Sequence, residues 1–141
     1  MKKLLLTALV GILITTSSFA NSEKEITYAI KSNFRIDFNN IKNVEWSTTG
    51  TYATATFVWD QKRTQAFYEN NGELIGSSHA ISIDQLLARA KRTFAKKYVD
   101  YTVMEAIQFQ TKETMAYFIA AKKDDKTVML KVENGYISVF K

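Results

Sequence analysis

The chain has 141 residues, of which 46% are hydrophobic, and it contains no Cys, no Pro and a single His. Its formal charge of +5 comes from 19 basic and 14 acidic residues, too mild an excess for a nucleic-acid footprint. The absence of Cys excludes a disulfide framework, a thiol nucleophile and a thiolate metal site, so a hydrophobic core alone must hold the fold.

The first twenty residues, MKKLLLTALVGILITTSSFA, carry Lys2 and Lys3, an apolar run from Leu4 to Ile14, and small residues ending at Ala20. That three-part layout predicts a secretory signal cleaved after Ala20. The run is too short to span a bilayer comfortably, no second one follows, and no Cys exists to carry a lipid. A periplasmic or secreted chain without stable membrane insertion is therefore expected. With Lys2 and Lys3 set aside, the 19 basic residues become 17, a net of +3 against the 14 acidic ones. The remaining ~120 residues suffice for one domain.

Two helices are predicted, each opened by a capping box. Ser22-Glu23-Lys24-Glu25 precedes a face of Ile26, Ala29, Ile30, Asn33 and Phe34, and Ser82-Ile83-Asp84-Gln85 precedes Leu86, Leu87, Ala90, Phe94 and Tyr98. Ile81 and Leu86 are spaced as a hydrophobic staple around the second cap. Four strands follow each helix. In the first half they run at 43–47, 51–59, 63–69 and 73–77, with turns at Thr49-Gly50, Asp60-Gln61-Lys62 and Asn71-Gly72; in the second half they run at 102–110, 114–121, 127–133 and 136–140. Asn-Gly between alternating strands is a strong hairpin signal, because both central residues of the favoured turn need positive φ.

An offset of 63 aligns the halves. Thr51, Ala53, Thr64, Asn71 and Gly72 fall on Thr114, Ala116, Thr127, Asn134 and Gly135, while Val44, Trp46, Phe67 and Leu74 fall on Ile107, Phe109, Leu130 and Ile137. One offset kept through a strand-turn-strand pattern predicts an internal duplication. The expected fold class is α+β: a tandem repeat of a helix followed by a four-stranded antiparallel meander, with the helices packed on one face of a common antiparallel sheet.

Alternation places Ala53, Ala55 and Phe57, matched by Ala116, Phe118 and Ala120, beneath the helices, since Ala lets a helix approach a sheet closely. The other face is expected to stay open and to carry Tyr52, Tyr68, Tyr117 and Tyr136, with Met115 and Ile119 nearby. Trp59, ending a strand just before a turn, joins these four Tyr residues as a candidate binding residue; Trp46 is expected in the core. The alternative is that the Tyr residues only cover a sheet whose phenolic ends stay wet.

The run NVEWSTTGTYATATFVWDQKRTQAFYENNGELIGSSHAISIDQLLARA resembles the PepSY-like family of exported bacterial proteins, also described as beta-lactamase-inhibitor-like. The shared pattern is a Val-x-Trp strand, a Tyr-x-x-x-x-Phe strand, an aromatic-Tyr-x-x-x-Gly hairpin and an Asp-Gln-Leu helix start. It extends over the chain from about Ile26 to Phe140. The family often places Pro after Asp-Gln-Leu, where this chain has Leu87. The resemblance implies one PepSY-like domain over 21–141, made of two repeats at about 22–79 and 82–141, in a protein of the cell envelope. It also implies a grip on a protein partner by a sheet face, or restraint of a peptidase.

No catalytic constellation can be assembled. His79 is expected in a loop before the second cap, without partners; Asp124-Asp125 is flanked by Lys122, Lys123 and Lys126, which oppose a cation site; and the glycines are isolated turn or strand residues. Arg89, Lys91, Arg92, Lys96 and Lys97 form a basic helix face, either simply solvated or drawn to anionic surface groups. The expected function is that of a non-enzymatic module without metal or cofactor. It recognises an unidentified protein or peptide through the Tyr face and has no nucleic-acid partner; restraint of a hydrolase is one form this would take. The alternative is a small-ligand or envelope-sensing protein with a pocket between the halves, and an enzyme of unrecognised chemistry is a third reading.

Overall fold

The structure, a computed structural model, describes residues 26–140. The expected leader, its cleavage point at Ala20 and the cap at Ser22 to Glu25 lie outside the described residues. Within them the architecture is α+β, with two ten-residue α-helices and eight strands paired antiparallel. The chain divides into two units. The N-terminal unit takes the described residues up to Ala80 together with Phe109–Thr114, and the C-terminal unit takes Ile81–Gln108 and the residues from Met115 onward.

The N-terminal unit starts with α1 (Tyr28–Asp37), capped by Thr27, whose side-chain oxygen accepts from the Ile30 N–H at 3.3 Å. A meander follows: β1 (Glu45–Thr48), β2 (Tyr52–Trp59), β3 (Lys62–Glu69) and β4 (Leu74–Ala80). The register pairs Ala53 with Tyr68, Ala55 with Ala66 and Phe57 with Thr64. Antiparallel partners share a face, so Tyr68 stands beneath α1 with the Ala row. Ile26, Ile30, Phe34, Phe38 and Trp46 complete this core. Phe34 is its hub, with ring centroids 5.3 Å from Trp46, 5.0 Å from Phe57 and 6.4 Å from Tyr68, all edge-on. The expected core role of Trp46 is met.

In the C-terminal unit Ser82 does form a capping box with Gln85, but the box opens a single 3-10 turn, Ile83–Gln85. The helix α2 (Ala88–Lys97) begins three residues later, at an N-cap, Leu87, that has no side-chain hydrogen bond. The meander is β5 (Thr102–Gln110), β6 (Met115–Lys123), β7 (Lys126–Glu133) and β8 (Tyr136–Val139). The core beneath α2 is aliphatic: Leu86, Ala90, Ile119, Leu130 and Val132 are buried, with Phe94, Tyr98 and Tyr117 partly covered against them.

The face expected for β6 is reversed. Tyr117, Ile119 and Ala121 lie with Val132, Leu130 and Val128 on the helix side, so Ala116, Phe118 and Ala120 point the other way. The cause is one residue. The turns Asp60-Gln61 and Asp124-Asp125, like the strand ends Glu69 and Glu133, are 64 apart, although the two Gly residues behind the offset are 63 apart. The extra residue is taken up in the next turn, and a one-residue slip exchanges the faces of a strand.

That turn differs between the halves although both are spelled Asn-Gly. Asn134 (φ 52°) and Gly135 (φ 80°) are both left-handed, closing the two-residue hairpin expected between Glu133 and Tyr136. In the corresponding turn of the N-terminal unit Gly72 (φ 92°) is left-handed and Asn71 is not, and the loop has three residues, with the Glu69 N–H donating to the Glu73 carbonyl at 2.9 Å. The Gly72 carbonyl accepts from Asn33 Nδ2 at 2.7 Å, which ties this turn to α1.

Candidate functional site

The Tyr row expected on an open face does not assemble into one surface. Tyr52 is 2% exposed and Tyr68 0% exposed. Tyr68 is core, and its hydroxyl donates to Asp37 Oδ2 at 2.9 Å. Burial, aided by the neighbouring carboxyl, pushes its phenol far above the ordinary value. Tyr52 does lie on the side of β2 away from α1, where its centroid is 6.2 Å from Phe67, and Phe67 stands 6.0 Å from Phe109. Burial raises the Tyr52 phenol, with Thr49 acting in the opposite direction. Tyr117 is partly covered in the aliphatic core, so of the four only Tyr136, 59% exposed, is a surface residue.

Phe67 and Phe109 form an aromatic row with Tyr52 that the expected open face does not include. The signal lies in the alternation of β3, where Phe67 and Tyr68 must face opposite ways, so with Tyr68 beneath α1 the outer side belongs to Phe67. Gly76 belongs to the same row. A Cβ there would meet the Gln110 carbonyl oxygen at 2.6 Å and the Phe109 ring at 2.8 Å, so the close approach requires Gly.

The β2–β3 hairpin presents the most exposed aromatic group of the N-terminal unit's sheet. Trp59 is 48% exposed and Val58 64% exposed. The Trp59 ring is held edge-on against Phe38 at 4.9 Å. The turn that follows keeps two non-Gly residues left-handed, Asp60 at φ 49° and Gln61 at φ 60°. That conformation costs about 1–2 kcal/mol per residue and persists only where the flanking strands enforce it. Trp59 and Lys62 are register partners, as are Val58 and Arg63, so one face of the tip carries an indole and a cation and the other an aliphatic group and a cation.

A shallow cavity of about 420 Å³ lies in the same unit, lined by Asn33, Asp37, Gly72, Glu73 and Lys112 among others. His79, expected in a loop, is in β4 opposite Thr64 and is half-buried; burial and the nearby Lys62 lower its affinity for a proton. Glu105 in β5 is half-buried, and desolvation raises its carboxyl pKa. Among the described residues no three acidic or His side chains gather to hold a metal ion. No helix of the described residues is long and apolar enough to cross a membrane.

No family model matches the chain, and no curated protein matches it. Solved structures do. A candidate periplasmic protein from Bacteroides eggerthii superposes with a TM-score of 0.71 at 15% identity, covering 80% of this chain and 88% of that one. A DUF2874 family protein from Bacteroides uniformis gives 0.72 at 11% identity, with 82% and 86% covered. A BLIP-like protein from Bacteroides fragilis gives 0.67 at 16% identity, with 80% and 85% covered. The beta-lactamase-inhibitor-like side of the resemblance thus holds at the level of fold, and the PepSY side rests on sequence pattern alone.

Proposed function

We propose that this chain is an exported, non-enzymatic module of the cell envelope that binds a protein or peptide, and that the β2–β3 hairpin tip is its principal contact. The observation that carries this reading is Trp59, half-exposed beside the exposed Val58 on a tight turn whose two central residues are both left-handed. Trp is over-represented among the few interface residues that dominate binding, and a rigid tip loses little ordering entropy on association. The two-unit plan, a helix followed by a four-stranded meander in each, supports an origin by internal duplication. The periplasmic assignment of the Bacteroides eggerthii neighbour and the Lys2 to Ala20 layout support export. The BLIP-like neighbour supports a protein as the partner, with an envelope hydrolase held in check as the specific form.

The test is capture by cross-linking from envelope extract, with residues 21–141 as bait beside the Val58→Ser, Trp59→Ser variant. A protein enriched by the parent and lost with the variant supports the reading, and hydrolase activity falling on addition of the parent alone supports its inhibitory form. Equal capture by both, with the variant folded, overturns the hairpin as the contact.

The cavity beside Asn33 and Asp37 favours a second reading, a small polar ligand. Its mark is a melting temperature that rises with ligand concentration by mass action and is insensitive to Trp59→Ser.

A further inference from the structure

The helix α2 has the sequence ARAKRTFAKK, in which five of ten residues are cations and none is acidic. Arg89, Lys91, Arg92, Lys96 and Lys97 are all exposed, and only Ala90 of the helix is fully buried. Among the described residues none of the five cations is in an ion pair; Lys91 Nζ donates to the Asp84 carbonyl at 3.3 Å. Arg89, Arg92 and Lys96 follow one another at spacings of three and four, so they share one face along about 10 Å of axis. Lys96 and Lys97 complement the helix dipole at its C-terminal end, whereas Arg89 in the first turn opposes it. The fold therefore gains little from charge at Arg89, which instead lies with its guanidinium carbon 3.8 Å above the Tyr136 ring.

Apolar groups frame the stripe. Leu87 is 60% exposed at one end of α2 and Val99 73% exposed just past the other, with Tyr136 beside Arg89. Exposed aliphatic and Tyr side chains around a basic helix face are what an interfacial helix presents to headgroups. The cations are spread along the helix, exposed and outside ion pairs, which suits a diffuse negative surface better than one compact anion. α1 offers a contrast within the chain: its sequence YAIKSNFRID has two cations and the acidic Asp37.

We propose that the outer face of α2 docks this protein on an anionic lipid surface, with Arg89, Arg92 and Lys96 over the headgroup phosphates and Leu87, Val99 and Tyr136 at the level of the glycerol backbone. This docking does not depend on the identity of the hairpin's partner.

The experiment is co-sedimentation of residues 21–141, which contain both helices and all eight strands, with vesicles of phosphatidylcholine alone or with about 30% phosphatidylglycerol. The parent is expected to bind only the anionic vesicles and to be released when salt is raised from about 0.05 to about 0.5 M. Arg92→Glu with Lys96→Glu should weaken that binding by at least about tenfold, and the neutral pair Arg92→Gln with Lys96→Gln by less. Arg35→Glu with Lys42→Glu, the same change of net charge on the other unit, should alter it by no more than about twofold. No binding by the folded parent at low salt overturns the proposal. So does equal loss from both charge-reversed pairs, which would mean net charge alone. Binding of poly-glutamate in preference to the vesicles overturns it as well and makes the basic face a site for an acidic protein.

Discussion

The two units follow one local plan but anchor their helices differently. α1 sinks Ile30 and Phe34 into an aromatic core and is tied twice more to its meander, by Asn33 to the Gly72 carbonyl and by Asp37 to the Tyr68 hydroxyl. α2 buries only Ala90 fully, rests on an aliphatic core, and keeps Phe94 and Tyr98 half-covered and stacked on one another at 5.5 Å. Its solvent side is correspondingly broader and carries charge instead of ties. The same succession of elements therefore yields one helix committed to packing and one left free to present a surface, and the difference lies in two polar contacts and in ring content, not in topology.

The sharpest way to break this comparison is to truncate the equivalent anchors. Phe34→Ala should cost about 3–5 kcal/mol in urea unfolding, because four rings lose their neighbour, whereas Phe94→Ala should cost about half as much. Equal losses would mean that α2 is anchored as firmly as α1. Next in size is Tyr68→Phe, which keeps the ring and removes the donor to Asp37; a loss of about 2 kcal/mol is expected by the same measurement.

The two Asn-Gly turns can be set against each other in the same way. A Cβ at Gly72 would meet the Ala29 backbone at 3.2 Å and Asn33 Nδ2 at 3.0 Å, while at Gly135 the nearest atoms are at an ordinary 3.5 Å. Both residues are left-handed, so Gly135→Ala should cost about 1 kcal/mol for the backbone alone and Gly72→Ala measurably more. The smallest effect concerns His79. Its folded-state pKa is depressed, so the unfolded chain binds the proton more readily and stability must fall as pH drops from the unfolded value of 6.5. Replacement by Gln should flatten the dependence of stability on pH below that point and leave stability at pH 8 almost unchanged. A dependence that survives the substitution would assign it to other groups.

Much of the fold was legible beforehand. The order of elements, the eight strands to within a few residues, Ile30 and Phe34 on one helical face, and the capping box at Ser82 all follow from local pattern, since hydrophobic period, cap chemistry and turn residues act over three or four positions. The candidate site was legible only in part. Trp59 is half-exposed at the strand end before the turn, although alternation places it on the α1 side against Phe38, and Tyr52, Tyr68 and Tyr117 are not on an accessible outer face. Alternation says which residues share a side without saying which side is covered.

What the amino-acid sequence by itself determined is the α+β succession and the positions of its turns, because each is decided by neighbours along the chain. Tertiary structure alone decided the phase of β6. Asn-Gly spells a two-residue turn at 134–135 and the last two positions of a three-residue turn at 70–72, and only the pairing of Glu69 with Glu73 and of Glu133 with Tyr136 distinguishes them. That single residue turns Tyr117 and Ile119 inward and Phe118 away from the helix. The reason is physical: a strand repeats every two residues, so a register error of one exchanges its faces.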